Sequence, residues 1–262
     1  MTLSEMALTT DGKEYIKPLP HLSLQTFPTP SDYPVAWICT LTVEFEAATE
    51  MLDEKHGSFK GDSVDPNVYA LGRIGQHNIV IVCLAKGWVS IASATSTVAH
   101  MLHTFRHLKL GLLVGVGGGA PSTASDIRLG DVVSPGRGED LLYVADYPHK
   151  IGEETCRNCD GTRLVKREEW PVDNVKVNYG TIGSGDVVVK DGVVWDEISK
   201  SCDGILCFEM EAAGVMHIFP SLVIRGICDY SDSHKNDTWQ HYAAATAAAF
   251  AKDILQNISS GM

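Results

Sequence analysis

Ahead of residue 34 the chain has no periodic spacing of apolar positions, and Pro18, Pro20, Pro28 and Pro30 interrupt it too often for long regular structure. Residues 1–33 read as a flexible leader and 34–262 as one domain. The pattern changes at Val35. Val35-Ala36-Trp37-Ile38-Cys39 is a short unbroken apolar run, the mark of a buried strand. Helical periodicity follows over Glu44–Lys55. Asn67–Ile74 and Asn78–Ala85 read as strands joined by a turn at Gly75-Gln76-His77, and Ser90–Phe105 as a helix opening on a serine cap. Leu108–Val116 is a further buried strand ending in a glycine run, and Asp131–Ser134 a short one. Pro135–Pro171 is polar, weakly patterned and reads as a long loop region with local structure. Beyond it Val175–Ile182, Ile205–Phe208 and Leu222–Cys228 read as strands. Gly192–Lys200, Glu211–Ile218 and the alanine-rich Thr238–Gln256 read as helices. This alternation predicts a single-domain α/β fold, with three α/β/α layers around a central mixed sheet.

Composition narrows the partners. The 262 residues are 44% hydrophobic and 21% charged, ordinary globular usage, and carry a formal net charge of −12. So acidic a surface repels phosphate backbones and excludes nucleic acid as the expected partner. No apolar run reaches the length of a signal peptide or a membrane span. The 7 cysteines sit mostly in apolar runs, as buried thiols do, which fits a reduced cytoplasmic protein without a membrane partner.

In sheets of this kind ligands bind beyond the carboxyl ends of the strands. Four segments place chemistry there. Gly115-Val116-Gly117-Gly118-Gly119-Ala120 follows a strand, so backbone N–H groups can approach an anion or a sugar. The run fits the dinucleotide pattern G-x-G-x-x-A formally, but Pro121 follows and no helix opens, so a dehydrogenase is disfavoured. A tight turn in the sheet accounts for it equally well. Glu44 stands just past the first strand, where a carboxylate can also do no more than stabilise a helix N-terminus. Cys207-Phe208-Glu209-Met210-Glu211 runs a strand into two carboxylates, either of which could accept hydrogen bonds from a ribose diol or merely cap the next helix. An apolar strand ends abruptly in Asp229, and a partly desolvated carboxyl there suits a general acid. Asp232 and His234, shortly after, read as a solvated turn. Three acids at three strand ends and a glycine loop at a fourth together favour a site.

These residues resemble the nucleoside phosphorylase and methylthioadenosine/adenosylhomocysteine nucleosidase superfamily, and most of all its fungal nucleosidase-like domains found at the front of receptor proteins. The resemblance runs from about Val35 to Leu255. It rests on Val114–Gly119 with Asp126–Val133, on Tyr179–Asp186, on Cys207–Gly214 and on Arg225–Asp237. It implies that Glu44 orients and deprotonates the attacking water. It implies that Glu211 holds the ribose hydroxyls with Met210 under the sugar, and that Asp229 protonates purine N7. Gly117 and Gly118 would lie near the ribose, and Ser184, Asp186, Val187 and Val188 would flank the base. The implied reaction is hydrolysis of the N-glycosidic bond of a purine nucleoside, with inversion and without a cofactor, in a homodimer.

Alternatives remain open. Phosphorylases of the superfamily carry an Arg before the glycine loop and a Ser within it, where this chain has Leu113 and Val116, so water is the expected nucleophile. A nucleotide substrate such as ATP would call for a basic cluster, with Lys86, Arg128, Arg137 and Lys190 as candidates. A non-catalytic nucleoside-binding domain would be marked by loss of the acids, all present here. The chain looks short between Pro135 and Leu141, and Cys228 stands before Asp229 where bacterial relatives have Ser. Cys156-Arg157-Asn158-Cys159 is a lone C-x-x-C with His149 nearby. No second cysteine pair is spaced to complete a zinc site, so no metal is expected.

Overall fold

The computed structural model describes residues 28–85, 90–122, 126–131, 142–149, 156, 159–167, 176–186, 190–202 and 204–259. Most of the leader, the expected Asp131–Ser134 strand beyond its first residue, the Pro135–Leu141 stretch, Lys86, Arg137, Val187 and Val188 lie outside the described residues. Within them the expected architecture stands. Strand β1 (Val35–Cys39) pairs in parallel with β4 (His77–Cys83) and with β5 (Leu110–Gly119). At one edge β2 (Glu54–Lys60) and β3 (Val68–Ile74) join antiparallel to each other and to β4. β8 (Ser221–Asp229) runs parallel to β5 from Gly111 to Gly118. β7 (Ile205–Glu209) lies antiparallel to the last glycines of β5 and carries β6 (Thr181–Ser184) in parallel. The result is an 8-stranded mixed sheet.

The apolar run of β1 is buried on both faces. Val35, Trp37 and Cys39 enter a core completed by α1 (Thr42–Glu50) and α5 (Gln240–Asn257). Ala36 and Ile38 enter another completed by α2 (Ile91–Thr104) and α4 (Ala212–Ile218). A fifth helix, α3 (Gly192–Ser201), precedes β7. Ser90 caps α2 as expected, its hydroxyl accepting from the Ser93 N–H at 3.2 Å. Tyr33 is fully buried, so packing begins within the stretch assigned to the leader.

Three segments depart from the pattern. The helix expected over Glu44–Lys55 stops at Glu50, because Leu52 turns into the core and the Asp53 N–H bonds the Arg73 carbonyl. The following residues form β2, an edge strand whose residues are all exposed or half-buried, so no apolar alternation marks it. The strand expected over Val175–Ile182 begins only at Thr181; residues 176–180 are irregular and Tyr179 is exposed. The glycine run is no loop. Gly115–Gly119 continue β5, since β8 and then β7 supply their hydrogen-bonded neighbours.

Small residues set the distance between α5 and the sheet. A methyl on Gly226 would overlap the Ala243 backbone. Gly226→Ala is expected to cost about 1–3 kcal/mol through overpacking, read as a lower urea midpoint. An unchanged midpoint would show that this contact has room to yield.

Candidate active site

The carboxyl ends of β1, β5, β7 and β8 meet around one cleft. Glu44, Gly117, Gly118, Met210 and Glu211 line it, with Thr40, Val116, Phe208, Glu209, Ser231 and Lys235. Four segments far apart in sequence thus converge, as the strand-end argument requires.

Glu44 is buried and held from two directions. Its Oε2 accepts from the N–H groups of Thr40 (2.7 Å) and Leu41 (3.0 Å), which anchors the carboxylate at the N-terminus of its own helix. Its Oε1 accepts from the Val116 N–H across the sheet at 2.8 Å. Helix capping and cleft placement are therefore the same act. The Thr40 hydroxyl, also on the cleft, has no hydrogen-bond partner.

The two carboxylates after β7 divide their roles. Glu209 accepts from the N–H groups of Glu211 (3.0 Å) and Ala212 (2.9 Å), capping α4. It also accepts a short hydrogen bond from Arg225. Glu211 lies 3.4 Å from the same guanidinium. Arg225 was no candidate from the sequence, because its neighbours in β8 are apolar and it reads as an interruption of a buried strand. Its side chain is only 1% exposed. Burial alone would pull its pKa down, but Glu209, Glu211 and Glu44 surround it and leave it raised. One guanidinium cannot balance three buried carboxylates. Burial, with Glu209 and Glu44 adding to it and Arg225 opposing, pushes Glu211 up to about 7.

The glycines of β5 make room for this cluster. A methyl on Gly115 would strike the Glu44 carboxylate and come within 2.6 Å of Arg225 Nη1. On Gly118 it would overlap the Ser231 hydroxyl and lie 2.7 Å from Asp229 Oδ1.

Asp229 ends β8 and is buried. Its Oδ1 accepts from the Ser231 N–H at 2.9 Å, and Oδ2 pairs with Lys235 Nζ at 2.8 Å. Ser231 takes a left-handed backbone, φ 55°, to make that turn. The Cys228 thiol donates to Oδ2 at 3.1 Å. Burial lowers the Lys235 ammonium, yet the opposed Asp229 carboxylate outweighs it and the pKa is raised. The turn after Asp229 is not solvated: Asp232 and His234 are both buried. The sequence misses Lys235 and this burial because the whole stretch Ser231–Asn236 is polar.

Ser184 and Asp186 lie off the cleft lining. The Ser184 hydroxyl accepts from the Ala213 N–H (2.9 Å) and Asp186 from the Ile91 N–H (3.1 Å), so both serve helix N-termini. Leu113 is buried in the core. Arg128 is paired with Asp126 and Lys190 is exposed, and neither borders the cleft. Among the described residues no helix is long and apolar enough to cross a membrane.

No family model matches the chain. A nucleotide-binding leucine-rich repeat-like protein of Hyaloscypha variabilis is 35% identical over 297 aligned residues, covering 88% of this chain and 30% of that protein. The ATP nucleosidase Cap17 of Escherichia coli is 34% identical over 86 residues, 31% of this chain and 17% of that enzyme. The chain therefore spans less than a third of the length of these relatives. Among solved structures, the methylthioadenosine/adenosylhomocysteine nucleosidase of Helicobacter pylori superposes with a TM-score of 0.58 at 17% identity, over 87% of this chain and 100% of that one. The futalosine hydrolase of the same organism gives 0.58 at 17%, over 87% and 99%. The Neisseria meningitidis nucleosidase in complex with methylthio-immucillin-A gives 0.56 at 18%, over 86% and 99%. The chain has the α/β fold of the nucleoside phosphorylase and nucleosidase superfamily.

Proposed function

We propose that this chain hydrolyses the N-glycosidic bond of a purine nucleoside, releasing free base and ribose. The observation that carries the reading is the convergence of Glu44, Glu211 and Lys235 on one cleft at the strand ends, with Asp229 buried behind the lining and paired to Lys235. Glu44 orients a water and takes its proton as the oxygen bonds to C1′ from the face opposite the base. The C1′–N9 electron pair leaves with the purine, and a proton delivered at N7 from the Asp229–Lys235 pair neutralises it. Glu211 bonds the ribose hydroxyls, and Met210 packs under the sugar. A carboxylate beside C1′ also stabilises the oxocarbenium-like state electrostatically.

Water rather than phosphate is supported by the site's charges. Arg225 and Lys235 are already paired with carboxylates, Leu113 is core, and the Val116 N–H is taken by Glu44. A second reading keeps the reaction and changes the substrate to a nucleotide such as ATP; the partial identity with Cap17 favours it. The reading extends to a cytoplasmic homodimer, supported in its first part by cysteines that are all free.

Incubation with adenosine, inosine, guanosine, methylthioadenosine and ATP, with and without phosphate, tests this by chromatography of free base. Release without phosphate is expected, with Asp229→Asn and Glu44→Gln each losing about 10²–10⁴-fold in kcat. Release only with phosphate, or undiminished release by both variants, refutes it. The best substrate decides between nucleoside and nucleotide.

Glu211 also ties stability to pH. Between its ordinary 4.5 and about 7 the folded chain keeps a proton that the unfolded chain releases, so stability falls as pH rises across that window. Asp131, pushed up to about 6 mainly by burial, acts in the same direction. Glu211→Gln is expected to melt several degrees higher than the parent chain at mildly alkaline pH and to show a shallower pH slope. An unchanged slope would mean that Glu211 is ionised in the folded protein throughout.

A further inference from the structure

The polar segment that precedes β6 contains a second cluster of chemically active side chains, apart from the cleft residues. His149, Cys156 and Cys159 bring their ligand atoms within 4.8 Å of one another, and all three are partly buried. The Cys159 N–H bonds the Cys156 carbonyl at 3.1 Å, and this bond keeps the two cysteines together. Beside them lies His234, from the turn after Asp229. Its ring stacks on Tyr143 at 4.1 Å and meets the His149 ring edge-on at 5.3 Å. The His234 side chain is only 4% exposed; neither ring nitrogen makes a hydrogen bond, and Nδ1 lies 3.4 Å from the Asp232 carboxylate. An imidazole buried with no hydrogen bond is costly unless something else satisfies it.

We propose that His149, Cys156 and Cys159 form a binding site for a zinc ion, completed when the His234 ring, from the loop that follows Asp229, turns from Asp232 toward them. Two thiolates and an imidazole are soft donors that select zinc over magnesium or calcium. The fourth ligand that a single C-x-x-C lacks in sequence comes from a residue far along the chain. The segment also needs such a tie. Among its described residues 142–149, 156 and 159–167, only Tyr143 is a fully buried apolar side chain. It is held by one bridge of Tyr143 with Leu164, a few backbone bonds, the Arg163–Asp146 pair, the His149 N–H on the Ser233 hydroxyl, Arg167 on Asp126 and Tyr230, and the stacking of Tyr143 and Tyr147 on His234. A substructure with so little core is the kind that a metal stabilises. Because Lys235 adjoins His234, the ion would fix the turn that presents the cation to Asp229.

The test needs no substrate, so its outcome is separate from that of the proposed reaction. The full chain, without a polyhistidine tag, is purified under reductant and its metal content measured by plasma mass spectrometry. About one zinc per chain is expected. Cys156→Ser and Cys159→Ser are each expected to lose it, and His234→Ala to bind it at least about tenfold more weakly in competition with a chromophoric chelator. Cobalt added to the stripped parent chain should give a thiolate-to-metal charge-transfer band, a readout that does not depend on any variant folding. Zinc content unchanged in the cysteine variants means adventitious metal only and overturns the site. So does the absence of both zinc and the cobalt band, or a Cys156–Cys159 disulfide in the intact mass of the reduced preparation. Unchanged affinity in His234→Ala overturns the assignment of the fourth ligand.

Discussion

A buried guanidinium lies behind the acids of this site, and the arrangement around it follows from its needs. Arg225 projects from a strand buried on both sides. Leaving it unpaired there would cost several kcal/mol. Glu209, Glu211 and Glu44 meet that need from two other strand ends, and they overshoot it, so that negative charge is in excess. The excess is functional in the proposed reaction, where positive charge develops at the sugar. Removing Arg225 would leave carboxylates facing one another in a dry site, which is why its role cannot be separated from that of the acids.

The backbone of β5 is the second constraint. It lies between β1, β8 and β7, and its glycines leave space that side chains from neighbouring strands occupy. Glycine here serves protein groups before it serves a ligand. The two are compatible, because Gly117 and Gly118 still border the cleft.

Much of this was legible in the sequence, for a physical reason. Apolar runs of strand length and the alternation with helices fix a covered sheet, and a covered sheet puts its chemistry at strand ends. Glu44, Asp229 and the Glu209/Glu211 pair become candidates on that ground, whereas the choice of Glu211 over Glu209 comes from the family resemblance. Arg225 could not be singled out, because its significance depends on which strands are neighbours, and β5 and β8 are adjacent only in the folded chain. Lys235 and His234 were hidden likewise: a run of polar residues looks solvated until something packs over it, and Tyr143 and Tyr147 come from another segment to do so. The edge strand Glu54–Lys60 escaped because a strand with only His56 and Phe59 half-buried leaves no apolar alternation. The glycine run was misread as a loop because glycine is as rare in strands as it is common in turns.

The pairing of β5 with β8 has a kinetic consequence. Strand partners so distant in sequence meet late, since the loop between them must close before any contact rewards it. Glu44 needs the Val116 amide, and Arg225 reaches Glu209 and Glu211 only once β8 has docked. Arg225 and its carboxylates are therefore expected to come together late in folding. A partly folded chain would hold each acid in its local turn and yet have no site, so that the appearance of activity during refolding would time the closure of the sheet itself.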